Sequence, residues 1–172
     1  MPVISAFVME SDPTEFDNPV LAFYFDYWHR KRGGRAMPSR SDIQPQELKP
    51  HQDWVILLDA LPGLNDFRYR LLGTRVIEYF LGDATGSTIR DAYRLANMNK
   101  AYTESVILLH RTVCVSRSII RLKGPSGEWE RHFFPEFDAL YLPLSDDGIA
   151  VNTILTAFTF NYERLKAVRN AD

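Results

Sequence analysis

Residues 54–72 read WVILLDALPGLNDFRYRLL, and this stretch decides the fold class. Residues 54–60 form a mostly apolar run of strand length. Residues 67–72 alternate aromatic or aliphatic side chains with two arginines, which is the period of a half-buried strand. The intervening LPGLND, at 61–66, contains the proline, glycine and asparagine of a tight turn. The stretch therefore predicts two consecutive antiparallel strands.

Helices are predicted directly after this strand pair. Thr74 can cap a short helix that ends at Gly82, and residues 85–92 supply another short helical turn. Apolar residues at helical spacing then define a longer helix over residues 98–111. The middle of the chain is therefore expected to be helical.

Three further strands are predicted after the longer helix. They cover residues 113–122, 129–144 and 149–160. The connections at 123–127 and 145–148 combine glycine with serine, proline or aspartate and are typical of hairpin turns. The sheet is therefore expected to be mostly antiparallel.

A leading helix is predicted in front of the strand pair. It begins at Asn18-Pro19, where the asparagine can cap the free backbone amides, and it ends at Gly33. Its apolar stripe can cover the sheet of the same chain or pack against a second copy, and its aromatic content is typical of interface anchors. The candidate dimer or partner surface consists of Leu21, Tyr24, Phe25 and Trp28.

The chain divides into four parts along its length. Residues 1–17 form an N-terminal extension, and residues 18–50 contain the leading helix and a crossing segment with three prolines. Residues 51–160 form the core of the domain. Residues 161–172 form a tail that has helix formers but little apolar periodicity.

The composition is that of a folded protein with no overall attraction to nucleic acid or anionic membranes. Hydrophobic residues make up 45%, charged residues 24%, and the formal net charge is -2. A length of 172 residues suits one domain, so we expect any output to pass through a separate signalling protein.

The single cysteine excludes an internal disulfide and fits a reducing compartment. Without a signal-peptide pattern or an apolar run of ~20 residues, we expect a cytoplasmic protein with no membrane contact.

Four segments carry a resemblance to a known family. They are YWHRKRGGRAMPSRSDI at 27–43, FRYRLLGT at 67–74, GDATG at 82–86 and LPLSDDG at 142–148. Together with the order of elements, they make the sequence resemble the PAS-domain family, in its branch of short stand-alone bacterial proteins. The resemblance covers residues 18 to about 160.

The resemblance implies an α+β fold in which a five-stranded antiparallel sheet has helices on one face, plus the leading helix. It also implies a cavity between helices and sheet that holds a cofactor or metabolite or is filled by side chains. The leading helix of such domains often mediates dimerisation, so we expect a homodimer. A planar or apolar ligand could stack in the cavity, and a filled core is the alternative. The candidate pocket residues are Tyr69, Tyr79, Phe80, Tyr102 and Phe134.

Haem and flavin are the cofactors that the resemblance raises, through a histidine on the longer helix or a reactive cysteine among the short helices. His110 lies near the end of the predicted longer helix, where we expect it to point into solvent. Cys114 falls in the predicted strand that follows, in the setting of a small buried hydrophobe. Both cofactors are therefore disfavoured, no metal site is predicted, and the cofactor stays unknown.

Residues 29–40 carry a run of cations that could meet phosphates or an acidic partner. A solvated helix end is the favoured explanation, so nucleic acid is not an expected partner. Arg35 and Arg40 are expected to pin the crossing segment onto Asp42 or onto backbone carbonyls, which is a structural role. A nucleic-acid-binding regulator remains an alternative.

The expected function is a non-enzymatic PAS-like sensor or adaptor in bacterial signal transduction. It would act through a small-molecule ligand, through protein contacts, or through both. The sequence contains no familiar catalytic motif, so no catalytic residue is predicted. The alternative is a small cone-shaped α+β enzyme that uses the same cavity, with an acid such as Asp138 near a tyrosine. It requires a carboxylate inside the pocket with a perturbed pKa.

Overall fold

A computed structural model describes residues 7–79, 82–124 and 136–160 of the chain. Its elements follow the predicted order, with one additional strand near the N-terminus. The α-helices are α1 (Pro19–Arg32), α2 (Thr74–Tyr79), α3 (Ile89–Leu95) and α4 (Lys100–Ser116). The strands are β1 (Val8–Ser11), β2 (Val55–Ala60), β3 (Phe67–Leu72), β4 (Ile120–Gly124), β5 (Phe137–Leu144) and β6 (Thr153–Phe160). Short 3₁₀ segments occupy Arg40–Asp42, Pro45–Trp54 and Pro62–Leu64.

Some predicted elements fall wholly or partly outside the described residues. The tail at 161–172 lies outside them, as does the connection predicted at 123–127 from residue 125 onward. The strand predicted over 129–144 is described from residue 137 as β5.

The sheet pairs its strands antiparallel throughout, in the order β1-β4-β5-β6-β2-β3. The α+β fold with an antiparallel sheet is confirmed, and β2 and β3 coincide with the strands predicted from residues 54–72. Across the described residues the sheet has six strands, which are the five expected ones and the additional strand β1. The difference arises because the N-terminal extension pairs with β4, from Val8 opposite Lys123 to Ser11 opposite Ile120.

The longer helix runs further than the sequence predicts. A strand was expected over 113–122, but α4 continues to Ser116. Val113 and Cys114 lie on the buried face of the helix, and burial of this face outweighs the strand propensity of valine. The helix is capped at its C-terminus by Arg117, whose φ of 56° is left-handed. The prediction that Cys114 lies in a strand was therefore wrong.

Helices cover both faces of the central strand pair β5–β6. Asp138 lies opposite Thr159 in the register, and Tyr141 lies opposite Thr156. Because side chains alternate along a strand, these two pairs point to opposite faces. The Asp138 carboxylate lies 3.5 Å from the amide nitrogen of Asn18 at the start of α1, whereas the Tyr141 ring contacts a histidine of α4. The leading helix therefore covers one face of its own sheet, and α4 covers the other.

The apolar stripe of α1 is buried within its own chain. Leu21 and Tyr24 are 0% exposed and Trp28 is 5% exposed. The Trp28 indole N–H donates to the Pro143 carbonyl at 2.8 Å, at a point where β5 has run past the end of β4. Phe25 is half-buried. Three of the four residues predicted for a dimer surface are thus buried against the sheet of their own chain. They are not accessible to a second copy.

Two tyrosines of α1 fix the second half of the crossing segment. The Tyr24 hydroxyl donates to the carbonyl of His51 at 3.0 Å. The Tyr27 hydroxyl donates to the carboxylate of Glu47 at 2.9 Å and accepts from the N–H of Gln44 at 3.0 Å. Burial raises the pKa of Tyr27 to about 12, so its proton remains available for donation at neutral pH. The chain between residues 44 and 51 is thereby held across the helix.

Asp42 organises the first half of the crossing segment. Its carboxylate accepts from the backbone N–H of Ser39 at 2.7 Å and from the guanidinium of Arg35 at 2.7 Å. These hydrogen bonds hold the pKa of Asp42 below its usual value. Arg40 takes part through its backbone N–H, which donates to Asp146 at 3.0 Å. Arg35 and Asp42 thus make the expected contact, whereas the contact of Arg40 comes from its main chain.

Gly73 lies where β3 ends against the crossing segment, and we expect alanine not to fit there. A Cβ at Gly73 would lie 2.3 Å from the carbonyl oxygen of Asp53 and 2.5 Å from that of Gln52. Because both are backbone atoms, Gly73→Ala is expected to lower the free energy of unfolding in urea by about 2 kcal/mol or more. Gly34→Ala is the matched control, because nothing lies within 4 Å of its Cβ, and it should change stability by less than about 0.5 kcal/mol. Equal stability of the two variants would contradict the described packing.

Candidate functional site

A cluster of tyrosines, one histidine and one threonine lies between the sheet and α4. Its members, called the interior cluster below, are buried apart from one half-buried tyrosine, Tyr102. The cluster consists of Tyr69 on β3, Tyr93 on α3, Tyr102 and His110 on α4, Tyr141 on β5 and Thr156 on β6. Sheet and helices therefore meet at this face through side chains that carry polar atoms.

The tyrosine hydroxyls of the interior cluster hold no charge at neutral pH. The rings of Tyr93 and Tyr102 stack with centroids 6.1 Å apart, and the Tyr93 hydroxyl donates to that of Tyr69. Burial raises the pKa of Tyr102 to about 12 and also raises the pKa values of Tyr69, Tyr93 and Tyr141 well above the usual one. The cluster therefore offers hydroxyl groups and aromatic faces without ionic charge.

His110 belongs to this interior, and the prediction that it points into solvent was wrong. It is 5% exposed, with its ring 5.2 Å from that of Phe67 and 5.3 Å from that of Tyr141. Its Nδ1–H donates to the carbonyl of Val106 at 2.7 Å, which leaves Nε2 without a proton in the neutral ring. Burial lowers the pKa of His110 to about 4. The imidazole is therefore neutral, and it faces inward because α4 continues past it.

Thr156 presents an unsatisfied polar atom to the same interior. The residue is 1% exposed, and its hydroxyl has no hydrogen-bond partner in the described part of the chain. Thr156 lies opposite Tyr141 on β5 and opposite Ile56 on β2, so it occupies the middle of the sheet. A buried hydroxyl without a partner is costly, and it marks the position where a further polar group would be stabilised.

Two of the five predicted pocket residues, Tyr69 and Tyr102, are members of the interior cluster. Tyr79 lies apart from the cluster at the end of α2, with its ring 6.5 Å from that of Phe160. Phe80 and Phe134 lie outside the described residues. Sequence reasoning did not include the remaining cluster members in the pocket, although an aromatic residue in the continuous apolar run of β5 could have indicated one of them. Those members are Tyr93, His110, Tyr141 and Thr156.

Two shallow depressions lie on the surface, away from the interior cluster. One of about 220 Å³ lies between the crossing segment and the end of β3, and one of about 160 Å³ lies beside β1 and β4. Both are smaller than the roughly 300 Å³ at which pockets for metabolites usually begin. The first is lined by Pro45, Leu48, Gln52, Asp53, Val55, Leu71, Leu72, Gly73 and Thr74, and the second by Val8, Glu10, Asp17, Arg121 and Lys123.

Asp138, the acid named for an enzymatic alternative, lies on the opposite face of the sheet. Its two carboxylate oxygens accept from the Arg121 guanidinium at 3.0 and 2.8 Å. The same guanidinium reaches Asp17 at 2.9 Å, and hydrogen bonding to Asp138 raises the pKa of Arg121 above its usual value. Across the described ranges no Asp or Glu belongs to the buried residues. The interior cluster therefore has no carboxylate of the kind that the enzymatic alternative requires.

Cys114 has none of the features of a reactive thiol. It is buried on α4, and burial raises its pKa to about 12, so the thiol stays protonated. Within residues 7–79, 82–124 and 136–160, no three His, Cys, Asp or Glu side chains come together to hold a metal ion. In the same ranges no helix has the length and apolar character needed to cross a bilayer.

The cations near the end of α1 mostly make contacts within the chain. Lys31 forms an ion pair with Glu47 at 2.6 Å, and Arg35 is bound to Asp42. Arg30 lies over the ring of Tyr27, and Arg32 lies over that of Trp28. The positive charge of residues 29–40 is thus partly neutralised by nearby carboxylates, which is typical of a solvated helix end.

The arrangement defines a class of protein. Short helices and one long helix cover one face of an antiparallel sheet, and an aromatic interior without buried carboxylates lies between them in the described ranges, which is an α+β arrangement.

The chain belongs to the PAS-domain family, because the family model described as PAS domain matches residues 17–156. No curated protein and no solved structure matches the chain. PAS domains are typically non-enzymatic sensory domains. The narrower resemblance to short stand-alone bacterial members stays a prediction.

Neutral His110 makes stability depend on pH in a defined direction. In the unfolded chain its pKa is about 6.5, whereas the folded value is about 4, so between these pH values the unfolded state binds the extra proton. His110 therefore contributes fully to the free energy of unfolding above pH 6.5. About 3 kcal/mol of this free energy should be lost as the pH falls to about 4. We expect urea unfolding to show this loss in the wild type relative to His110→Phe. Parallel stability curves for the two proteins between pH 4 and 6.5 would contradict a neutral, buried imidazole.

Proposed function

We propose that this PAS domain is a non-enzymatic signalling module that acts mainly through contacts with other proteins, with a separate signalling protein as its target. The interior cluster is the observation that carries the proposal. Its side chains lie on the face of the sheet where the PAS resemblance implies a cavity, and Tyr69, Tyr93 and Tyr141 are each less than 5% exposed. Tyrosine hydroxyls with raised pKa values are poor acids, and an imidazole with a pKa of about 4 is a weak base, so these groups are poorly matched to acid–base chemistry at neutral pH.

The enzymatic and nucleic-acid alternatives have less support. An acid in the interior would have to be a carboxylate, and Asp138 is engaged by Arg121 on the other side of the sheet. Binding to phosphates would need free cations on one surface, and Lys31 and Arg35 are already paired with carboxylates.

A second candidate function is the sensing of a small uncharged ligand, and Thr156 is the observation that favours it. The unsatisfied hydroxyl would gain a hydrogen bond from a ligand or water that reached the centre of the sheet. Because no described ionic side chain is buried beside it, such a ligand would have to be neutral.

Mass spectrometry separates the two candidates. Freshly purified protein is measured under native and denaturing conditions, together with an absorbance scan. We expect the mass of the chain alone and absorbance from its own aromatic residues, because the rings of the interior cluster pack against one another. A molecule retained at one per chain under native conditions and lost on denaturation would overturn the proposal in favour of the ligand sensor.

Replacing the Thr156 hydroxyl by a methyl group tests whether the interior is closed. We expect Thr156→Val to raise the free energy of unfolding by about 1 kcal/mol, because it removes a buried hydroxyl that has no partner. Thr159→Val is the matched control on the same strand, because its hydroxyl donates to the carbonyl of Asp138 at 2.8 Å and accepts from Asn18 at 2.9 Å. The control should lose about 1 kcal/mol. A similar loss in Thr156→Val would mean that a water or ligand satisfies the hydroxyl.

A further inference from the structure

The strand β1 is the least buried strand of the described sheet. All four of its residues are exposed, whereas each of the other strands buries at least two residues. It lies at the end of the strand order and pairs with β4 alone. It also precedes residue 17, where the PAS match begins, so it is an addition to the matched region. Because few buried contacts hold β1, its local opening costs little free energy.

The segment that contains β1 has one apolar anchor. Phe7, directly before the strand, is half-buried, and its ring lies 5.8 Å from the ring of Phe137. A Cβ at Gly124 would lie 2.3 Å from the ring carbon Cδ1 of Phe7, so the ring fits there because residue 124 has no side chain. The edge of β4 thus contains a recess for one aromatic side chain, called the Gly124 recess below.

Asp12 is a polar anchor at the other end of β1. Its N–H donates to the carbonyl of Ile119 at 2.7 Å, and its carboxylate accepts from the N–H of Ile119 at 3.2 Å. Its φ of 48° is left-handed, which aspartate and asparagine adopt more readily than most residues. The side-chain oxygen and the backbone conformation therefore both favour one of these two residues at this position.

The depression beside β1 adds a preference for negative charge at the position of Glu10. Glu10 lies opposite Arg121 in the register, but the guanidinium of Arg121 is already bound by Asp17 and Asp138. Lys123 is exposed and lies on the same side of the strand pair, diagonally from Glu10, which is within reach of long side chains. A carboxylate at this position therefore faces the cation of Lys123.

These anchors define a pattern, which is an aromatic residue, an acid three residues later, and aspartate or asparagine two residues after that. We propose that the edge of β4 binds an extended segment with this pattern from a separate signalling protein, and that β1 occupies the same edge in the free domain. Strand addition takes its affinity from main-chain hydrogen bonds and its specificity from side-chain pockets. When β1 is released, β4 offers both, because the Gly124 recess and Lys123 lie beside its row of N–H and C=O groups.

Competition with β1 determines the strength of this contact. Because β1 belongs to the same chain, it competes at an effective concentration in the millimolar range. It pairs with only four of the five residues of β4, from Ile120 to Lys123. A partner segment that also pairs with Gly124 gains a contact that β1 lacks. A short foreign segment therefore binds weakly to the free domain and more tightly once β1 is released.

This inference rests on the proposed function, because it names the surface through which the domain contacts another protein. The two claims nevertheless fail separately. A retained ligand would overturn the proposed function and would leave the edge of β4 unchanged. Failure of the edge to bind an extended segment would overturn this inference alone.

Proline substitutions in β1 provide a matched pair of variants. Because the N–H of Asp12 points to β4 and amides alternate along a strand, the N–H of Val8 points to β4 and that of Met9 points away. Val8→Pro removes a hydrogen bond to β4 and is expected to release β1. Met9→Pro is the control, because it removes an N–H that faces solvent. Both variants leave the Gly124 recess and Lys123 intact.

Fluorescence anisotropy with a labelled peptide of residues 5–13, SAFVMESDP, tests the proposal on the full chain. We expect Val8→Pro to bind the peptide about tenfold or more tightly than the wild type and Met9→Pro do. The same peptide with alanine at the position of Phe7 should bind Val8→Pro about tenfold or more weakly, because the Gly124 recess stays empty. Equal affinities of the three proteins, or equal affinities for the two peptides, would overturn the proposal.

A second substitution locates the binding site on β4. We expect Gly124→Ala, added to Val8→Pro, to abolish peptide binding, because the new Cβ fills the recess. Unchanged binding in this double variant would contradict a site at the edge of β4. A Val8→Pro protein that self-associates in sedimentation velocity and does not bind the peptide would assign the edge to a second copy and would overturn the proposal. Far-UV circular dichroism checks that each variant is folded.

Discussion

The central strand pair β5–β6 has no face that can be left in water, and the rest of the structure depends on this constraint. Along β5 every residue is buried except Asp138, and along β6 every residue is buried except Phe158; both exceptions are half-buried. One side is closed by α1 and the other by α4. The carboxylate of Asp138 is tolerated near this interior because Arg121 neutralises it with two hydrogen bonds. The leading helix is therefore an integral layer of the domain.

Local chemistry explains the parts of the fold that the sequence predicts well. Asn18 caps α1 by accepting from two backbone amides, and Gly33 ends the helix with a positive φ, as its residue type indicates. The turn at 61–66 and the connection at 145–148 likewise carry their own conformational preferences. Tyr69 and Tyr102 could be assigned to the interior because the family resemblance orders the elements around them. In each case the deciding information lies within a few neighbouring residues.

Contacts between distant segments explain what the sequence did not predict. The strand β1 exists through its pairing with residues 120–123, and nothing in its four residues alone requires a partner. The inward orientation of His110 depends on α4 continuing to Ser116, where β-branched residues favour a strand unless the helix is packed on the sheet. Thr156 resembles any strand threonine until its neighbours across the sheet are known. Which polar side chains become buried depends on the packing of distant segments. The periodicity of the sequence does not contain this information.

The strand β1 has a further consequence for how the domain behaves among other molecules. It lies before residue 17, where the family match begins, and it covers a side of β4 that would otherwise expose a row of unpaired amides and carbonyls. Such rows recruit foreign strands and lead to aggregation. β1 is short and carries a carboxylate at Glu10, so it is itself a poor template for a further strand. A fragment that begins at residue 17 would lack β1 and would expose the edge of β4. Aggregation of such a fragment would come from this exposed edge and would not indicate that the PAS fold itself is unstable.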